Sequence, residues 1–153
     1  MNIAIVGGRD FSDYTLLKER LSRYISIYGV PENIVSGGAK GADTLAAQFA
    51  AEMDIPLLVF KPDYQKYGRG ATLVRNTQII ENADVVFAFW DGQSKGTKDS
   101  ITKAKKLQKE LHIISYGDVC FINLYPNGIL ELQKKLHSPK NTKNIGEAEN
   151  LSE

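Results

Sequence analysis

The segment Ile34-Val35-Ser36-Gly37-Gly38-Ala39-Lys40-Gly41-Ala42-Asp43 sets three glycines, a serine, a lysine and an aspartate between an apolar run and a helix-forming one. Glycines at a strand-to-helix junction allow positive φ and close approach of the main chain, while the first amides of the following helix form a positive concavity. Phosphate is the group this chemistry suits, and Lys40 adds a point charge. The spacing is not that of a P-loop, which needs Ser or Thr directly after Gly-Lys, where this chain has Gly41. Nor does it spell Gly-x-Gly-x-x-Gly. One such junction is explained equally well by the needs of a tight turn. A second changes the balance: Asp91-Gly92-Gln93-Ser94-Lys95-Gly96-Thr97 repeats the arrangement, with Gly96 and Thr97 expected to open a helix that Thr97 caps.

Other residues join these two junctions. Arg9 follows the pair Gly7-Gly8 at a strand end and is a fork-shaped donor suited to phosphate, or else the partner of Asp10 in a structural ion pair. Arg75 and Asn76 stand side by side on an expected helix, where an arginine is most often solvated. Asp43, Asp91 and Asp99 fall near glycine loops, where a carboxylate can accept from ribose hydroxyls or act as acid or base, and can equally cap a helix or hold a turn. Lys66 and Arg69 flank glycines in another loop, and Tyr64 is available to stack on a base. Trp90 is expected in the core. His112 and His137 stand apart from other ligand-type residues, so no metal site and no cofactor are expected. Cys120, the single cysteine, sits in the apolar run Asp118–Leu124 and reads as a small core hydrophobe.

Short β-branched runs alternate with helical periods along the chain. Asn2–Gly8 reads as a strand ending in a turn; Tyr14–Tyr28 carries Leu17, Leu21, Tyr24, Ile25 and Tyr28 at helical spacing, with Ser12 or Asp13 as cap. Strands follow at Asn33–Gly38, Ile55–Phe60, Asp84–Trp90 and His112–Tyr116, and helices at Ala42–Met53, Ala71–Ala83 and Thr97–Leu111. Lys61–Gly70 reads as a polar loop, and Asp84–Trp90, apolar at consecutive positions, as a central strand. This alternation implies right-handed crossovers and an α/β fold: a Rossmann-like three-layer sandwich with a mainly parallel sheet of five or more strands. After the fifth strand, Tyr125–Gly128 signals a turn, and Ile129–Leu136 is a closing strand or helix. Residues 1–137 are expected to form one domain and 138–153 a flexible tail. In such a sheet every βα loop lies on one edge, so the glycine-bearing and basic loops make one composite site.

Composition narrows the partners. The chain has 153 residues, 42% of them hydrophobic, with 19 Lys and Arg against 18 Asp and Glu, a formal net charge of +1. That near-neutral total argues against nucleic acid as the principal ligand. No apolar run nears the roughly 18 residues of a membrane span, and no secretory leader is evident, so a cytoplasmic location is expected.

Four separated motifs, Gly7-Gly8-Arg9-Asp10-Phe11, Val35–Asp43, Arg75-Asn76 and Phe89–Ile101, resemble the YspA-like branch of the SLOG superfamily between about Asn2 and about Ser115. The resemblance implies a Rossmann-like fold that binds nucleotides or nucleotide-derived ligands, and a homo-oligomer. The superfamily includes the Lonely Guy phosphoribohydrolases, the DNA-processing protein A family that binds single-stranded DNA, and ligand-sensing modules of bacterial defence. The hydrolases carry an Arg-Lys pair and a Pro-Gly-Gly-x-Gly-Thr-x-x-Glu motif, whose arginine and glutamate are associated with cleavage of the N-glycosidic bond. Arg75 matches the arginine, but Asn76 stands for the lysine, Asp91-Gly92-Gln93 for Pro-Gly-Gly and Ser100 for the glutamate. Asp99, about 100 degrees around the helix from Ser100, or Asp43 from another loop would have to replace that carboxylate.

The expectation is a small-molecule nucleotide bound through Gly8, Arg9, Ser36, Gly37, Gly38, Lys40, Gly41, Asp43, Arg75, Asn76, Asp91, Gly92, Ser94, Gly96 and Thr97. Two alternatives stay open: a nucleoside-phosphate N-glycosidic hydrolase using Arg75 with Asp99 or Asp43, and a single-stranded nucleic-acid binder.

Overall fold

Successive side chains of Asn2–Gly7 (β1) bury on opposite faces, Ile3 and Ile5 in one apolar cluster, Ala4 and Val6 in another. A strand lined on both faces must be covered twice, and the helices divide accordingly. Tyr14–Tyr28 (α1) and Ala42–Glu52 (α2) bring Leu17, Leu21 and Phe49, all fully buried, to the first face. Ala71–Glu81 (α4) and Lys95–Lys106 (α5) bring Ile79, Ile80, Ile101 and Ala104 to the second. The computed structural model describes residues 1–117, 121–124 and 130–133.

Between these layers lie Asn33–Ser36 (β2), Leu57–Val59 (β3), Val85–Trp90 (β4) and Glu110–Ser115 (β5). The five strands form a wholly parallel sheet in the order β3-β2-β1-β4-β5. β1 holds the middle position, and β4, expected to be a central strand, lies beside it, bonded on both edges. The α/β three-layer sandwich is therefore as expected. Phe121–Leu124 (β6) and Leu130–Gln133 (β7) pair antiparallel, so the segment after the turn signal contains a strand. The turn at 125–128, Cys120, His137, the boundary at 137 and the tail at 138–153 fall outside the described residues.

Most element ends shift by one or two residues, and two segments differ more from expectation. The segment 61–70 is not a plain loop: Tyr64–Tyr67 (α3) is capped by Asp63, whose Oδ1 accepts from the Lys66 amide at 3.1 Å, and Gly68–Gly70 continues as a 3-10 turn. The fourth long helix starts at Lys95 rather than Thr97 and ends at Lys106 rather than Leu111. Its cap is Ser94, not Thr97; at the other end Gln108 takes a φ of 56°, and the Lys109 amide turns back to Ala104 O at 3.0 Å. Glu110 and Leu111 are thereby released into β5.

Candidate functional site

The chain runs from β1 through β2 to β3 on one side of the sheet and crosses over to β4 and β5 on the other, so a crevice opens beyond the ends of β1 and β4. A cavity of about 580 Å³ fills it, bounded by Gly8, Arg9 and Asp10 after β1, by Arg75 and Asn76 on α4, and by Asp91 and Ser94–Thr97 after β4. A second cavity of about 630 Å³ lies beyond the ends of β2 and β3, bounded by Gly37–Lys40, Lys61, Pro62 and Tyr64. Arg9, Ala39 and Arg75 border both.

Arg75, read from sequence as a solvated helix residue unless functional, is only 8% exposed. Its Nη1 donates to Gly37 O at 2.7 Å and its Nε to Asn76 Oδ1 at 3.2 Å. A Cβ at Gly37 would lie 2.5 Å from that Nη1, so the glycine leaves room for the guanidinium. The Asn76 amide donates to Asp99 Oδ2 at 3.1 Å and to Gly96 O at 3.4 Å, tying α4 to the start of α5. Asp99 also receives Lys103 Nζ at 2.7 Å and does not border either cavity. Ser100, 2% exposed, does border the first.

The glycine-rich loop after β2 is arranged around a carboxylate of the protein itself. Asp43 Oδ2 accepts from the Ala39 amide at 2.9 Å, with Ser36 and the Gly37 amide as further donors and Arg75 nearby. Burial, the largest influence, raises its pKa, and those donors and Arg75 pull it partly back down. The Gly38 amide faces Ser36 Oγ at 3.4 Å. Gly41 serves packing: its φ is 75°, and a Cβ there would meet Gly8 O at 2.3 Å and Arg9 O at 2.5 Å. The amides of Gly37, Gly38 and Ala39 thus already have partners, unlike the open cradle expected from the sequence.

The loop after β4 is different. Asp91 Oδ1 accepts from the Gln93 and Ser94 amides at 2.8 Å each, and Trp90 Nε1 donates to Ser94 O at 3.0 Å. Ser94 Oγ faces the Thr97 amide at 3.5 Å and Thr97 Oγ1 at 3.2 Å. Among the described residues, none supplies an acceptor to the amides of Lys95 and Gly96, which border the first cavity. Arg9 is exposed and, among the described residues, forms no ion pair; Asp10 Oδ1 instead takes the Tyr116 hydroxyl at 2.6 Å. Burial, then the Asp10 carboxylate, push that hydroxyl far above its ordinary pKa.

The family model for YAcAr, the YspA, cpYpsA-related SLOG family, matches residues 1–67. The Gene 61 protein of Mycobacterium phage D29 is 31% identical over 124 residues, covering 76% of this chain and 96% of that protein. The chain belongs to the YspA, cpYpsA-related SLOG family. Two solved structures share its fold. DNA processing protein A from Helicobacter pylori, described for its single-stranded DNA binding mode, superposes with a TM-score of 0.58 at 22% identity, over 97% of this chain and 72% of that one. The structural-genomics target TM1055 superposes with a TM-score of 0.51 at 21% identity, over 75% of this chain and 72% of that one.

In this SLOG-family chain most of the residues singled out from sequence converge. Gly8, Arg9, Asp43, Arg75, Asn76, Asp91, Ser94, Gly96 and Thr97 border the first cavity, and Gly37, Gly38 and Lys40 the second. Ser36, Gly41, Gly92 and Asp99 border neither, and neither do Lys66 and Arg69. Trp90 is half-buried against the second apolar cluster, as expected. His112 stacks on Phe87 at 4.6 Å, and among the described residues no group of metal-ligating side chains assembles. No helix among them is long and apolar enough to cross a membrane. Sequence reasoning missed Lys61, Lys95, Thr72 and Leu73. Lys61 and Lys95 carried a signal, a lysine directly after a strand and one within a glycine loop; Thr72 and Leu73 carried none.

Proposed function

We propose that this SLOG-family protein binds a nucleotide or nucleotide-derived small molecule in the cavity beyond β1 and β4. Its phosphate would rest on the Lys95 and Gly96 amides at the start of α5, with Arg9 and Arg75 balancing the charge. The observation that carries this reading is the electrostatic state of Arg75. It is buried, bonds only the uncharged oxygens of Gly37 and Asn76, and forms no ion pair within 4.0 Å among the described residues. A buried cation without a direct counter-ion is costly, and an anionic ligand group at the cavity wall removes that cost. Native mass spectrometry of freshly purified protein tests the reading: a nucleotide-sized adduct on the wild type, absent from an Arg75 variant, supports it.

A second reading, base release from a nucleoside monophosphate, is favoured by Asp43. This carboxylate borders the first cavity beside Arg75, and burial raises its pKa toward the range useful in proton transfer. Asp99 is held by Asn76 and Lys103 away from the cavity, so of the two carboxylates considered in place of the missing glutamate Asp43 is the better placed. Chromatographic detection of free base that disappears on Asp43→Ala would turn the binding protein into a hydrolase. The fold shared with DNA processing protein A supports single-stranded nucleic acid as a third ligand class, testable by the salt dependence of oligonucleotide binding.

A further inference from the structure

The two cavities differ in charge. The first is bordered by Arg9, Arg75 and Lys95 but also by Asp10, Asp43 and Asp91, so its formal charges cancel. The second is bordered by Arg9, Lys40, Lys61 and Arg75 and, among the described residues, by no carboxylate. Asp63, next along the chain from Lys61 and Pro62, is turned away to cap α3. Lys40 and Lys61 are exposed, and among the described residues neither forms an ion pair. Arg9 and Arg75 border both cavities and join them.

We infer that the ligand is a nucleoside polyphosphate, with the nucleoside and its first phosphate in the first cavity and the further phosphates running past Arg9 and Arg75 to Lys40 and Lys61. This inference rests on the nucleotide-binding reading above and extends it. A single phosphate carries about two negative charges near neutral pH. Arg9, Arg75 and the Lys95 and Gly96 amides serve the first phosphate, while Lys40 and Lys61 face no carboxylate among the described residues of their cavity and suit additional anionic groups. The three carboxylates on the first cavity disfavour phosphates there beyond the one held on the Lys95 and Gly96 amides, and suit the hydroxyl and amine donors of a nucleoside. Single-stranded nucleic acid is the poorer occupant: a strand track needs a stacking surface for successive bases, and among the described residues Tyr64 is the one aromatic side chain on the border of either cavity.

The test is equilibrium binding at fixed ionic strength, using the four ribonucleoside mono- and triphosphates, inorganic orthophosphate and tripolyphosphate, and a short oligothymidylate. The wild type should bind at least one triphosphate about tenfold or more tighter than its monophosphate, and tripolyphosphate tighter than orthophosphate. Lys61→Ala and Lys61→Glu, at an exposed position where folding is not at stake, should shrink the triphosphate-to-monophosphate ratio progressively. If monophosphates bind as tightly as triphosphates, or the ratio survives both Lys61 variants, the polyphosphate inference fails while nucleotide binding stands. If no nucleotide or phosphate binds, both fail. Oligothymidylate binding tighter than any triphosphate overturns the inference in favour of nucleic acid.

Discussion

Arg75 Nη1 and Gly37 O lie 2.7 Å apart, joining the middle of α4 to the loop after β2, and the same guanidinium borders both cavities. Gly37 is a glycine because a methyl group there would sit 2.5 Å from Nη1 and 2.9 Å from Cζ. Gly37→Ala should therefore displace Arg75. Overpacking of this kind costs about 1–3 kcal/mol. Urea unfolding should show that loss together with weakened nucleotide binding; an unchanged midpoint would mean that the guanidinium moves aside freely.

Gly96 is the opposite case. Its φ is ordinary and a Cβ there would meet nothing within 4 Å. Alanine in a helix is favoured over glycine by about 0.8–1 kcal/mol. Gly96→Ala should leave the fold as stable or more stable, yet weaken phosphate binding if the ligand approaches that amide closely. Thermal unfolding and titration calorimetry on the same preparation separate the two effects; unaltered affinity would move the phosphate away from α5.

Asp43 has a pKa raised by burial, so the folded chain holds its proton more tightly than the unfolded chain. Its contribution to stability is then full below the ordinary carboxylate value of 3.8 and declines as pH rises above it through the raised value. Asp43→Asn removes that titration. The stability of the wild type relative to Asp43→Asn should fall as pH increases from about 4 toward neutrality. A difference that grows with pH instead would show that the Ala39 amide, Arg75, Ser36 and the Gly37 amide outweigh desolvation.

Ser94 caps α5 and orients the turn that presents the Lys95 and Gly96 amides. Ser94→Ala should cost about 1 kcal/mol, the ordinary value of an N-cap. A loss much beyond that, measured by denaturant titration, would mean that the Ser94–Thr97 hydroxyl contact carries more of the loop than the cap does.

The layers of the fold were legible because their signals are local. Consecutive apolar residues in Val85–Trp90 and three-to-four spacing in Tyr14–Tyr28 follow directly from burial on two faces or on one. The glycine junctions were legible as special, but their purposes were not. Gly37 answers to Arg75, 38 residues away, and Gly41 to the main chain of Gly8 and Arg9. Such long-range contacts leave no trace in spacing. The early start of α5 was missed because Ser94 and Thr97 are both acceptable caps in isolation, and only the bond from the Thr97 amide to Ser94 Oγ distinguishes them. The bonds that hold Asp99 to Asn76 and Lys103, and so remove it from the candidate carboxylates, depend on how α4 packs against α5.

Whether Arg75 serves an anionic ligand is decided by calorimetry of Arg75→Met, which keeps much of the apolar stem and removes the charge, measured beside thermal unfolding of the same protein without ligand. Arg75 has no ion pair within 4.0 Å among the described residues, so the cost of burying its charge, which Arg75→Met removes, is set against only its bonds to Gly37 O and Asn76 Oδ1 and its influence on Asp43. The variant should be at least as stable as the wild type and lose nucleotide affinity about tenfold or more, in line with the ~1.5–3 kcal/mol of a charged hydrogen bond. A destabilised variant that binds nucleotides as well as the wild type would show instead that Arg75 serves the fold and not an anionic ligand.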